Sequence, residues 1–242
     1  DGLFRVDDEK LRAINSLDDI IIATRHGDTA VKQGDKLAGM RVIPLVIREG
    51  LLDEADRIAG GKPILELLPY RLRKVGVITT GNEVFHGRIQ DTFTPVIMDK
   101  LKTYGMHMAA HKVVDDSVDH IIAALEEIRK EDVDLILCTG GMSVDPDDNT
   151  PGAIKQSGAN IITYGAPVLP GAMFLLGYYD NGTPVMGLPG CVMYAGATIF
   201  DLVLPRVAAG VPVRKADLVA YGNGGLCLGC KPCRYPLCPF GK

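Results

Sequence analysis

The stretch Cys138-Thr139-Gly140-Gly141-Met142-Ser143-Val144-Asp145-Pro146-Asp147-Asp148-Asn149-Thr150-Pro151 concentrates the residue types that handle anions and cations together. Gly140 and Gly141 let main-chain N–H groups approach a ligand closely, as phosphate-binding turns require. Thr139, Ser143 and Thr150 add hydroxyls, and Asp145, Asp147 and Asp148 add carboxylates that suit a hard divalent cation. A second concentration lies near the end of the chain, in the run Cys227-x-x-Cys230-x-x-Cys233-x-x-x-x-Cys238-Pro239. Thiolates two to four residues apart suit tetrahedral zinc. The first three cysteines and the final Cys-Pro also share the pattern of cluster-binding ferredoxins, so zinc and an iron–sulfur cluster are both expected candidates.

The elements that must position the glycine-acidic stretch can be read around it. Val133 to Leu137 is an apolar run expected to form a buried strand. Thr150-Pro151 reads as a helix start. Upstream, Val75 to Thr79 is a second apolar run that ends in the polar turn Thr80-Gly81-Asn82-Glu83. A helix follows Asp91, with Thr94 as its expected cap, Ile97, Leu101 and Tyr104 on one face, and Gly105 at its end. His107 to Val114 is the next strand, and it ends in Asp115-Asp116. Asp116 or Ser117 is the expected cap of a helix carrying Ile121, Leu125 and Ile128. Strand, helix, strand, helix, strand predicts a parallel sheet covered on both faces. Ligands of such sheets bind beyond the carboxyl ends of the strands, where these three polar turns converge.

Downstream the pattern is less regular. Ile161 to Thr163 is a short strand, and Met173 to Tyr179 with Pro184 to Gly187 flank Asp180-Asn181-Gly182, a hairpin signal. Leu188-Pro189-Gly190 turns the chain toward a helix with Met193, Ala197, Phe200 and Leu204 on one face. The apolar stretch Met173 to Tyr179 is also the candidate surface for a homo-oligomer. Residues 1–71 read as a small β-rich module. It has strands over Asp19 to Thr24 and Arg41 to Ile47, the latter interrupted by Pro44, and a helix over Leu51 to Ala59 closed by Gly60-Gly61. The expected division is 1–71, 72–212 and a Cys-rich tail, 213–242, approached through the flexible Gly222-Asn223-Gly224-Gly225. The fold class is α/β, a three-layer α/β/α domain with a mostly parallel sheet, preceded by the small module.

Composition narrows the functional classes. The chain has 242 residues, 47% of them hydrophobic, so a sizeable core can be buried. A net charge of −4 gives no electrostatic case for nucleic acid. The absence of a long apolar run gives none for a membrane span, and a cytoplasmic protein is the expectation. A chain that opens on Asp1 reads as a piece of a longer protein. Cys138 and Cys191 lie in apolar surroundings and are expected to be core thiols.

Residues 72–209 resemble the molybdopterin-binding domain family, which includes the molybdenum insertases and molybdopterin adenylyltransferases of cofactor biosynthesis. The matching residues are Thr80-Gly81-Asn82-Glu83, Gly87 with Asp91, the acidic pair Asp115-Asp116, Thr139-Gly140-Gly141-x-Ser143-Val144 with Asp148, Asp148-x-Thr150-Pro151, and Gly187-Leu188-Pro189-Gly190. The resemblance implies that Gly81, Asn82, Gly140, Gly141 and Ser143 hold the phosphate of molybdopterin or of its adenylylated form. It also implies that Asp148, assisted by Asp147 or Asp145, holds Mg²⁺ or positions the transferred group. Molybdate insertion and adenylyl transfer are the implied reactions. A non-catalytic pterin carrier or sensor, and a nucleotide-pyrophosphate hydrolase, are the alternatives. The chain departs from the family pattern at Asp145, Asp147 and Cys191-Val192.

Overall fold

The computed structural model describes residues 1–143, 145 and 148–242. The chain divides into two compact units, Asp1–Tyr70 and Arg71–Lys242.

The first unit runs β1 (Gly2–Val6), α1 (Asp8–Asn15), β2 (Ile20–Thr24), β3 (Thr29–Val31), β4 (Ala38–Val42), α2 (Glu49–Ala59) and β5 (Leu65–Leu68). β1 pairs antiparallel with both β3 and β5, and β2 pairs antiparallel with β4. Leu3, Phe4, Ile14, Ile20 and Val31 form the small core. The strand expected over Arg41 to Ile47 stops at Val42, because Pro44 lacks the N–H that a ladder needs. α2 ends as the sequence suggests, with Gly60 in the left-handed conformation at φ 62°. α1 has too few apolar positions to be seen by periodicity; Asp7 starts it by accepting from the Lys10 N–H at 3.1 Å.

The second unit runs β6 (Lys74–Thr80), α3 (Asn82–Phe85), α4 (Phe93–Lys102), β7 (His107–Val114), α5 (Val118–Arg129), β8 (Leu135–Thr139), α6 (Thr150–Gln156), β9 (Asn160–Tyr164), β10 (Leu175–Tyr178), β11 (Pro184–Leu188), a 3-10 turn at Gly190–Met193, α7 (Ile199–Ala208) and α8 (Lys215–Ala220). Its six-stranded sheet has the order β7-β6-β8-β11-β10-β9. β7, β6, β8 and β11 are mutually parallel, and β10 is antiparallel to β11 and β9. The fold is therefore the α/β class with a mostly parallel sheet. Val75, Val77, Ile78, Leu135, Ile136 and Leu137 are fully buried, as central parallel strands must be. Each such side chain contributes roughly 1.5–3 kcal/mol through burial. Ile121, Leu125 and Ile128 pack α5 onto this layer. Gly76 lets α5 come close: a Cβ there would sit 2.3 Å from Ile128 Cγ2.

Two expectations are corrected by packing. The stretch Met173 to Tyr179 is not a free surface, because β10 lies between β11 and β9 and buries Phe174, Leu175, Leu176 and Tyr179. The helix expected to continue from Gly190 is broken after Met193. It restarts at Ile199 because Thr198 and Asp201 form a capping box, with the Phe200 N–H donating to Thr198 Oγ1 at 3.2 Å. The tail does not hang free. The Leu169 N–H donates to the Gly225 carbonyl and the Cys227 N–H to the Leu169 carbonyl, each at 2.8 Å. The Tyr235 hydroxyl donates to the Asp201 carbonyl at 2.8 Å, and Phe240 is buried. Among the described residues no helix is long and apolar enough to cross a membrane.

Candidate functional site

The carboxyl ends of β8 and β11 meet around a cavity of about 450 Å³. Gly140, Gly141, Met142, Ser143 and Asp148 line one side, and Leu188, Pro189, Gly190 and Cys191 another. Phe93, Ala172 and Met173 complete the lining. A buried strut of hydroxyls sets the floor. Thr80 Oγ1 donates to the Thr139 carbonyl at 3.2 Å and shares a hydrogen bond with Thr150 Oγ1 at 3.1 Å. The glycines are required by this closeness. A Cβ on Gly140 would lie 2.1 Å from the Thr80 carbonyl oxygen, and one on Gly141 would lie 2.7 Å from Thr150 Oγ1. Both have positive φ, 85° and 53°.

The acidic loop is folded back on this turn. Asp148 Oδ2 accepts from the Ser143 N–H at 2.6 Å, and the Asp148 N–H donates to the Asp145 carbonyl at 2.9 Å. The Tyr164 hydroxyl donates to the Ser143 carbonyl at 3.0 Å. Burial, and then the nearby charge of Asp148, push the Tyr164 phenol up from its ordinary value. Asp148 is the one charged side chain among the described lining residues.

Of the residues singled out from sequence, Gly140, Gly141, Ser143, Asp148, Pro189 and Gly190 stand at the cavity. Thr80, Thr139 and Thr150 lie beneath it. Gly81, Asn82 and Asp116 form a brace to the side. The Gly81 N–H donates to the Val114 carbonyl at 3.1 Å, and the Asn82 N–H to Asp116 Oδ2 at 2.9 Å. Asn149 Nδ2 donates to the Asp116 carbonyl at 2.8 Å, so this loop joins the turn after β6 to the acidic loop. The main-chain donors of Gly81, Asn82 and Ser143, expected to hold a phosphate, are thus engaged within the protein. Glu83 lies in α3 and does not line the cavity. Asp115 accepts from the Ser117 N–H at 3.1 Å and meets His120 Nδ1 at 2.8 Å, and these bonds hold its carboxyl below the usual range. Val144 and Asp147 lie outside the described residues. Among the described residues no three Cys, His, Asp or Glu side chains are gathered as a metal-ligand set, in the acidic loop or in the tail.

Asp91 acts as the cap of α4 in place of Thr94. Its Oδ1 accepts from the N–H groups of Phe93 at 2.9 Å and Thr94 at 3.0 Å, and its Oδ2 from Thr94 Oγ1 at 2.5 Å and Thr79 Oγ1 at 3.1 Å. Burial opposes its ionisation, but these bonds together outweigh burial and hold the carboxyl below its ordinary value. Because the folded pKa is depressed, the stabilisation is present above the unfolded value, about 3.9, and is lost as pH falls through the folded one. Asp91→Ala should cost about 1–2 kcal/mol at neutral pH, measured by denaturant unfolding, and less as pH falls through the depressed folded value.

Sequence reasoning does not single out Phe93, Met142, Ala172, Met173, Leu188 or Cys191 as site residues. Met142 and Leu188 adjoin the glycine turns and are within its reach; Phe93 and Ala172 arrive only by folding. Cys138 is a core thiol, fully buried and pushed up to about 12, but Cys191 is half-buried at the cavity wall instead.

The family described as a probable molybdopterin binding domain matches residues 76–209, more than half of the chain. This chain belongs to that family. Two curated relatives are CinA-like proteins. One from Desulfosudis oleivorans is 38% identical over 81 residues, 34% of this chain and 19% of that protein. One from Mycobacterium sp. (strain JLS) is 37% identical over 83 residues, 34% of this chain and 20% of that protein. The chain thus matches about a fifth of the length of these family relatives. Similar solved structures include the protein CinA with unknown function from Thermoplasma acidophilum, with TM-score 0.48, 20% identity, and 56% of this chain and 98% of that one covered. Another is the molybdopterin biosynthesis enzyme MoaB from Thermus thermophilus, with TM-score 0.45, 24% identity, and 58% and 99% covered.

Proposed function

We propose that the chain binds molybdopterin, or its adenylylated form, in this cavity and serves molybdenum cofactor biosynthesis. The observation that carries the reading is the division of the lining in a member of the molybdopterin binding domain family. One wall is glycine main chain with a single carboxylate. The other is apolar, made of Phe93, Met173, Leu188 and Cys191. A flat heterocycle suits the apolar wall, and an anionic end suits the glycine turn.

No lysine or arginine is among the described lining residues. A phosphate beside Asp148 therefore calls for a divalent ion. Mg²⁺ is usually held by one or two carboxylates together with substrate phosphates and water, so the Asp148 carboxylate at the cavity can hold it without a closed ligand cage. Such an ion would neutralise charge that develops on phosphate or molybdate oxygens. The chain's own part is to orient the ligand: Gly140 and Gly141 admit the anion, and the Ser143 N–H fixes the Asp148 carboxylate. This arrangement favours a monophosphate over a bare triphosphate, and so favours molybdate insertion or simple carriage over adenylyl transfer.

Mass spectrometry of small molecules that co-purify with the chain tests the assignment. A recovered pterin is the expected result. A recovered nucleotide with no pterin would reject it and favour a nucleotide-pyrophosphate hydrolase.

A further inference from the structure

The final segment carries chemistry that the cavity does not use. Cys227, Cys230, Cys233 and Cys238 fall within 12 residues, whereas the rest of the chain has only Cys138 and Cys191. From Leu218 to Lys242 there is no Asp, Glu or His, but there are three cations, Lys231, Arg234 and Lys242. The four thiols are free, and Cys230 and Cys233 are exposed. Exposed thiols in such numbers are a liability unless they have a ligand.

The structure holds this run at its ends and at Cys233. Cys227 is tied to Leu169, and the Gly241 N–H donates to the Gly224 carbonyl at 2.9 Å. Cys233 lies beside Gly196, where an added Cβ would come within 2.6 Å of the cysteine's own Cβ. Among the described residues, no main-chain hydrogen bond involves Leu228 to Cys233. Gly229 has φ 65°, a conformation that reverses the chain directly before Cys230. The thiols are not gathered into one ligand set among the described residues.

We propose that these four cysteines bind one divalent thiophilic ion of the zinc class as a tetrathiolate centre. Four thiols lose four protons, and the dication becomes a centre of net charge −2 that Lys231, Arg234 and Lys242 offset. A mononuclear ion is the proposal because the spacings of two, two and four residues all fall within the range of zinc-binding cysteine pairs. The centre would staple the tail to Leu169 and Gly196. These residues flank the segments that supply Ala172, Met173 and Cys191 to the cavity.

The test is a titration of the full chain, reduced and stripped with a chelator, with Zn²⁺ against a chromophoric competitor. The expected result is about one ion per chain, loss of about four reagent-accessible thiols, and a higher melting temperature. The double variant Cys230→Ser, Cys233→Ser should bind at least about 100-fold more weakly, since two of four ligands are gone. Cys138→Ser should bind as the native chain does. Should the double variant fail to fold, protection of the four tail thiols by Zn²⁺ in the native chain tests the same point. Zinc binding well below one ion per chain would overturn the proposal, as would tail thiols that stay fully reactive with zinc present. Iron with inorganic sulfide on these cysteines would overturn the mononuclear assignment.

Discussion

Gly140→Ala should destabilise the second unit by roughly 3 kcal/mol or more, the sum of left-handed strain and overpacking. The residue has φ 85°, and its Cβ would meet the Thr80 carbonyl oxygen at 2.1 Å. That oxygen belongs to the last residue of a central strand, so it cannot retreat without breaking the hydroxyl strut to Thr139 and Thr150. Gly190→Ala is the matched control. Its Cβ would meet nothing within 4 Å, and the change should stay within about 0.5 kcal/mol. Denaturant midpoints of the two variants check the pair. Equal midpoints would mean that the turn after β8 is not a close-packed cradle.

The second large effect belongs to Asp148→Asn. Ligand binding that depends on Mg²⁺ should weaken about 100-fold, equivalent to about 2.7 kcal/mol, while stability changes by about 1 kcal/mol. Asparagine keeps the shape and can still accept from the Ser143 N–H, but it removes the charge that holds a cation. A readout independent of ligand accompanies this. Tyr164 is held above its ordinary pKa by burial and by the charge of Asp148. In the variant its phenol should titrate at lower pH, followed by ultraviolet difference spectra. An unchanged tyrosine titration together with unchanged ligand affinity would remove Asp148 from the site.

Much of the second unit is legible in the sequence because its signals are local. Apolar runs at Val75 and Val133 could only be buried strands, and the glycines after each had to be turns. The resemblance points to the same turns, and the fold brings Gly140, Gly141, Ser143, Asp148, Pro189 and Gly190 to one cavity. What stays hidden depends on distance in the chain. Nothing in the residues around Asp91 says that its carboxylate caps α4 and also accepts from Thr79; the second bond depends on β6 lying beside it. Cys191 looks like any core thiol until β11 is set parallel to β8. The first unit is harder to read, because α1 is mostly polar and its short strands pair across large sequence separations, as β1 does with β5. The docking of the tail is invisible, since main-chain bonds such as the pairing of Cys227 with Leu169 carry no sequence signature.

In the proposed function a pterin phosphate binds beyond the carboxyl ends of β8 and β11. Amide hydrogen exchange with and without molybdopterin and Mg²⁺ measures this directly. Slowed exchange over residues 139–150 and 188–193, with little change over residues 1–70, is the expected result. Protection confined to other parts of the chain, or none at saturating ligand, would contradict it.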